Sequence, residues 1–180
     1  IRERGDRGRG DGGVRGAGKG TGVKGRLPRV LRRLGGRALW SHFTGTAAGI
    51  GARHGVIVTG HGAGQVEAAM AASPEAASLR FARQEPQLST GHAVQQAAPL
   101  LADDGMAIVL SGDVPLTQAD TLQGLLDAAG SDRVALLTVN MPDPTGYGRI
   151  VRNAEGTVQR IVVQKDANAQ ERAITEIYSV

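Results

Sequence analysis

The chain has 180 residues, room for one domain of ordinary size. Its 41% hydrophobic content supplies a core and argues against a disordered tail, while no run reaches the ~18 apolar residues of a membrane helix. The first thirty residues also lack the apolar stretch of a signal peptide, and the absence of Cys excludes disulfides, thiolate zinc sites and a cysteine nucleophile, a composition that fits a cytoplasmic protein. The net charge of +4 is uneven: residues 1–37 carry ten Arg and two Lys against Glu3, Asp6 and Asp11, so a basic head precedes an acidic body. Aromatic residues are only 3%, which leaves few platforms for stacking nucleic-acid bases, and no nucleic-acid partner is expected.

In chain order, residues 1–25 hold ten Gly and almost no apolar side chains, and residues 1–13 are expected to be a disordered basic leader. From residue 27 the pattern becomes that of a folded domain. Residues 27–34 predict a short helical stretch ended by Gly35-Gly36. Residues 56–59 predict a buried strand that stops at Gly60-His61-Gly62, followed by a helix with Val66, Ala69 and Met70 on one face. A short strand at 79–82 leads into a polar loop at 84–91. A helix at 92–101 follows, with Val94, Ala97, Ala98 and Leu101 spaced i, i+3, i+4, i+7. Residues 107–110 form the clearest strand, ending in Ser111-Gly112-Asp113. Thr117 can cap the next helix, where Leu122, Leu125, Leu126 and Ala129 make an apolar stripe. Residues 134–139 predict a third buried parallel strand. After the turn Met141-Pro142-Asp143-Pro144, residues 149–152 and 158–163 predict a hairpin around Asn153-Ala154-Glu155-Gly156. Short apolar strands alternating with amphipathic helices define an α/β domain around a mostly parallel sheet.

Several segments have the chemistry of a phosphate site. Gly16-Ala17-Gly18-Lys19-Gly20-Thr21 offers backbone N–H groups and a cation. Gly13 to Lys19 begins like a Walker A loop, but Gly20 stands where Mg²⁺ needs a hydroxyl, which counts against a P-loop NTPase. The G-x-G-x-x-G spelled by residues 20–25 has no apolar strand before it, and taken alone this glycine-rich stretch decides nothing. Asp113 follows an apolar strand, where open α/β sheets place ligands, and suits a Mg²⁺ bridging to phosphate; a turn or capping Asp is the competing reading. The stretch from Gln87 to His92 can be an ordinary helix start or can bind a base edge or phosphate. Gly148, in Thr145-Gly146-Tyr147-Gly148-Arg149, would let a ligand come near the backbone.

Taken together and in order, these segments resemble the uridylyltransferase half of the bacterial bifunctional N-acetylglucosamine-1-phosphate uridylyltransferase/glucosamine-1-phosphate acetyltransferase family. The resemblance runs over roughly residues 14–178. It rests on the glycine loop with Leu27-Pro28-Arg29, on Gln84-Glu85-Pro86-Gln87-Leu88-Ser89-Thr90-Gly91-His92, on Ser111-Gly112-Asp113, on Asp143-Pro144-Thr145-Gly146-Tyr147-Gly148-Arg149 and on Lys165-Asp166-Ala167.

This resemblance implies a Rossmann-like nucleotidyltransferase fold. It also implies transfer of a uridylyl group from UTP to N-acetylglucosamine 1-phosphate, giving UDP-N-acetylglucosamine and pyrophosphate with Mg²⁺, as in cell-wall precursor synthesis. By position it implies that Arg15, Gly16, Ala17 and Gly18 line the nucleotide loop and that Arg29 binds phosphate. Gln84, Ser89 and Thr90 would contact the uracil side, Ser111 and Gly112 would lie beside the metal ligand Asp113, and Gly148 would approach the sugar. The departures are as specific. The family's phosphate-contacting Arg is Gly22, its sugar-binding Glu is Val163, and its ribose- or sugar-side Asn is Tyr178.

Residues 11–15, rich in Gly and charge, are not expected to form the family's central first strand. The expectation is therefore a leader at 1–13 and a partial nucleotidyltransferase domain at 14–180. The β-helical acetyltransferase half, through which full-length members would form homo-oligomers, is expected to be absent. No secure catalytic residue and no measurable turnover are expected, and Gly22→Arg alone is not expected to restore it. The alternative is a non-catalytic nucleotide-sugar-binding module of the same fold.

Overall fold

Runs of four or five apolar residues, each followed by a helix long enough to cross back, can pair only as parallel strands covered on their faces. The computed structural model describes residues 11–15 (as backbone), 27–112 and 114–178. It divides into two units, Ile1–Ser131 and Asp132–Val180.

The first unit contains β1 (Asp11–Arg15), a single 3₁₀ turn at Arg29–Leu31, a hairpin of β2 (Arg33–Leu34) and β3 (Arg37–Ala38), and α1 (Leu39–Gly49). It continues with β4 (Gly55–Thr59), α2 (Ala63–Ala71), β5 (Leu79–Arg83), α3 (Thr90–Ala97), β6 (Ala107–Ser111) and α4 (Ala119–Ala129). The sheet order is β5-β4-β1-β6, all parallel. Side chains of β4 alternate between two cores. Ile57 joins Trp40, Phe43, Val66, Met70, Ile108, Leu110, Leu122 and Leu126 on one side, while Val56 and Val58 join Ala82, Ala93 and Ala97 on the other.

Five local expectations change in this unit. Residues 11–15 do form the central strand, pairing with β4 on one side and β6 on the other, so 11–13 are not part of a leader. Ladder pairing uses backbone groups, and the entropic cost of two glycines, of order 0.5–1 kcal/mol each, is small beside two ladders. Residues 27–34 form one 3₁₀ turn and a hairpin strand instead of a helix. Gly35 and Gly36, both at positive φ, make the hairpin turn, and the true helix is α1. In α2, Ala69 is exposed while Val66 and Met70 are buried. In α3 the buried stripe is Ala93 and Ala97, with Val94 36% exposed, a rotation of one position from the predicted face. Thr117 does not cap α4; its hydroxyl donates to the Val114 carbonyl at 3.2 Å, and Gln118 is the N-cap.

The second unit contains β7 (Thr138–Asn140), β8 (Arg149–Arg152), β9 (Val158–Val162), the short α5 (Ala169–Arg172) and β10 (Glu176–Tyr178). Its sheet runs β7-β10-β8-β9, antiparallel throughout. The predicted hairpin is present as β8 and β9. The predicted parallel strand at 134–139 is not: only Thr138 and Val139 of it are strand, antiparallel to β10, and Val134 is 88% exposed. An apolar run signals extended chain, but its ladder partner is set by a distant segment, here Glu176–Tyr178. Among the described residues no helix is long and apolar enough to cross a membrane.

Candidate functional site

The carboxyl ends of the parallel strands come level. Arg15 pairs with Val58 and with Ser111, and Thr59 pairs with Arg83. The chain passes from β1 to β4 on one side, while β6 lies on the other. The strand-end crevice between β1 and β6 is thus a topological switch point, where such sheets bind ligands. Arg15 and Ser111 end the two strands that flank it, and Gly112, buried, follows Ser111. The Val114 N–H donates to the Ser111 carbonyl at 3.2 Å, so the chain turns back directly past the strand. Gly16, Ala17, Gly18, Gly22 and Asp113 lie outside the described residues.

At the neighbouring strand ends a polar network holds the loop after β5. The Gln84 N–H donates to the Thr59 carbonyl at 2.8 Å, extending the β4–β5 ladder by one rung. The Gln84 side-chain Nε2 donates to the Ser89 carbonyl at 2.8 Å and lies 3.2 Å from His92 Nδ1. The imidazole is thus held at Nδ1 by a side-chain amide, its donor and acceptor roles depending on the tautomer. The Gln96 side-chain Nε2 lies 3.1 Å from His92 Nε2, so an amide flanks each ring nitrogen. Ser89 is the N-cap of α3, its Oγ accepting the His92 N–H at 3.2 Å, and Thr90 begins that helix. Gln84, Ser89 and Thr90 are therefore brought together, with Ser89 already serving the helix end.

Glu67 of α2 fastens the same edge. Arg83 donates to it through Nε (3.0 Å) and Nη2 (2.8 Å), and the buried Thr59 hydroxyl donates at 3.1 Å. The Arg83 guanidinium holds the Glu67 carboxyl below its ordinary value, burial opposing and Thr59 reinforcing.

Two glycines permit close approach here. A Cβ on Gly60 would lie 1.5 Å from Gln87 Nε2, so the Gln87 amide rests on the end of β4. The sequence names Gln87 only as the start of the 87–92 stretch, and nothing in it connects that side chain with Gly60. Gly62 has φ +78° and faces Pro28, whose Cγ would be 3.1 Å from a Cβ there; Arg29, exposed, follows Pro28.

Gly148 lies in the second unit and is buried. A Cβ on it would be 2.6 Å from Tyr178 Cε1 and 3.2 Å from Ile161 Cγ2, so the open side of this glycine is occupied by the tyrosine ring. Elsewhere in this unit two arginines are paired with carboxylates. Arg152 grips Glu176 at 2.6 and 2.8 Å, holding that carboxyl at about 2, and Arg160 pairs with Glu171.

A parallel α/β sheet whose strand ends gather glycine loops and neutral donors defines a nucleotide-handling domain. The chain matches the MobA-like NTP transferase domain over residues 14–176 and belongs to that family, a family of nucleotidyltransferases. It is 63% identical over 166 residues to the bifunctional protein GlmU of Acidovorax sp. (strain JS42), covering 91% of this chain and 35% of that protein. It is 60% identical over 169 residues to the bifunctional protein GlmU of Polaromonas naphthalenivorans (strain CJ2), covering 91% and 36%. The chain thus spans about a third of the length of the curated relatives it matches.

Solved structures agree on the fold. A UDP-glucose pyrophosphorylase complexed with UDP-glucose superposes with a TM-score of 0.71 at 15% identity, over 94% of this chain and 73% of that one. HddC from Yersinia pseudotuberculosis, complexed with GMP-PN, gives 0.62 at 17% identity, over 84% and 68%.

Proposed function

We propose that the chain is the uridylyltransferase domain of a GlmU-type protein, joining UTP to N-acetylglucosamine 1-phosphate with release of pyrophosphate. The single observation that carries this is the pairing of β1 between β4 and β6, which puts the exits to Gly16-Ala17-Gly18 and to Gly112-Asp113 at one switch point. The sugar phosphate attacks the α-phosphorus in line, so the protein's task is positioning and charge stabilisation. In this reading Arg15, Gly16, Ala17 and Gly18 cradle phosphates. Arg29 adds a cation, and Gln84, held by Ser89 and His92, presents the base-recognition edge with Thr90.

Among the described residues no three carboxylate, histidine or cysteine groups gather to cage a metal. A single carboxylate such as Asp113 suits Mg²⁺, which is commonly held by one or two carboxylates together with substrate phosphates and water. Asp113, beside Ser111 and Gly112, is the carboxylate assigned to it, and the ion would supply charge neutralisation at the phosphates. The 143–148 turn is assigned to the sugar; because the Tyr178 ring fills the open side of Gly148, that contact would come from the rest of the turn and not from the Gly148 backbone. A reaction on free UTP places the domain in the cytoplasm.

Titration of the chain with UDP-N-acetylglucosamine, UDP-glucose and GDP-mannose tests the assignment. UDP-N-acetylglucosamine should bind tightest and GDP-mannose weakest; equal affinities would contradict it. The alternative, a binding module without turnover, is favoured by Gly22 and Val163 in place of a cation and a carboxylate.

A further inference from the structure

Arg149 opens β8 and is only 1% exposed, yet no carboxylate among the described residues is bonded to it. Its Nη1 donates to the Tyr147 carbonyl and its Nη2 to Gln164 Oε1 at 2.6 Å, while its buried Nε–H has no partner among the described residues. A buried guanidinium met only by neutral acceptors is a poor source of stability, because desolvation of the charge is hardly offset. Its geometry is more informative.

The two acceptors belong to two separate turns. One is the 143–148 turn, where the Thr145 N–H donates to Asp143 Oδ1 and the Tyr147 N–H to the Pro144 carbonyl, both at 3.1 Å. The other is the 163–167 turn, where the Asp166 and Ala167 N–H groups donate to the Val163 carbonyl at 3.0 and 3.1 Å. The bonds to Thr145 hold the Asp143 carboxyl below its ordinary value, and the Arg149 charge adds to this, so the cation is felt across its own turn.

We propose that Arg149 is a positioning residue that fastens these two turns to each other and so fixes the wall against which the sugar phosphate is held. The proposal rests on the assignment of the sugar to the Gly148 turn. The planar fork is what the task requires, since it reaches a carbonyl and an amide in two fixed directions. A lysine is a point charge on a flexible stem and cannot hold both.

The test uses the full chain and the variants Arg149→Lys, Arg149→Met and Gln164→Leu, with hydrogen exchange and calorimetry. In both Arg149 variants the Tyr147, Asp166 and Ala167 amides should exchange about tenfold faster, with the β8–β9 ladder amides changed by less than about twofold. Gln164→Leu should release Asp166 and Ala167 only. Affinity for UDP-N-acetylglucosamine should fall about tenfold in Arg149→Lys while affinity for UDP stays within about twofold, the mark of lost orientation at one end of the ligand. Unchanged protection in both turns would overturn the proposal. So would a uniform loss of protection through β8 and β9, or an equal loss of affinity for both ligands, since either makes Arg149 a structural brace. If the unaltered chain binds UDP and UDP-N-acetylglucosamine equally, the sugar assignment itself fails. The exchange results would then still report whether Arg149 joins the turns, with no positioning role left to it.

Discussion

The two units handle polar chemistry in opposite ways. At the strand ends of the first unit the described polar groups are mostly neutral: backbone ends, Gln84, Gln87, Ser89 and His92. Its one tight ion pair there, Arg83 with Glu67, fastens α2 to the sheet. In the second unit three arginines, Arg149, Arg152 and Arg160, span strands and turns, and Gly148 is covered by Tyr178. The first arrangement holds the loop after β5 with neutral groups. The second spends its charges on holding short, half-exposed strands together.

That contrast can be broken most forcefully through the cores. Ile57, wholly buried in the parallel sheet, should cost about 2–5 kcal/mol when replaced by Ala, by loss of transfer free energy and the cavity left behind. Val139, 46% exposed in the antiparallel sheet, should cost much less on the same truncation. Denaturant unfolding that gave equal losses would erase the distinction.

Gly22→Arg sharpens the functional side. The sequence reading expected no rescue by this change, partly because residues 11–15 were not expected to pair. With β1 at the sheet centre that reason falls. Pyrophosphate release from UTP and N-acetylglucosamine 1-phosphate should then rise by roughly 10²–10³-fold, the usual worth of a preorganised donor on developing phosphate charge. No change would favour the binding-module alternative.

A smaller effect is expected at Gly148. Gly148→Ala drives a methyl into the Tyr178 ring and should cost about 1–3 kcal/mol. Tyr178→Ala in the same chain should remove most of that penalty, giving strong coupling in a double-mutant cycle. Additive losses would mean that the glycine serves something other than the ring.

The smallest effect is electrostatic. Arg152 depresses the Glu176 carboxyl from 4.5 to about 2 in the folded chain. Its stabilisation is therefore complete above pH 4.5 and lost as pH falls toward 2. Glu176→Gln should flatten the fall of the unfolding midpoint over that window, and high salt should do so in part.

What the sequence made legible follows the same division. The runs at 56–59 and 107–110 are apolar and bounded by Gly, so both strands could be read locally. The helix α1 goes unread, although Trp40, Phe43, Thr44 and Ala47 fall at i, i+3, i+4, i+7, because Gly35-Gly36 reads as a helix end when it is a hairpin turn. β1 was hidden because glycines carry no pattern and its ladders come from strands more than forty residues away. β10 has three residues and no periodicity to detect, so the partner of 138–140, and hence its antiparallel sense, could not be inferred.

The most direct test of the nucleotide site is the Mg²⁺ dependence of UTP binding, measured by titration calorimetry in the chain and in Asp113→Ala. If the β1–β6 strand ends are the site, Mg²⁺ should tighten UTP binding in the unaltered chain and have no effect in the variant. An enhancement of the same size in both proteins would remove Asp113, and with it the switch-point crevice, from nucleotide binding.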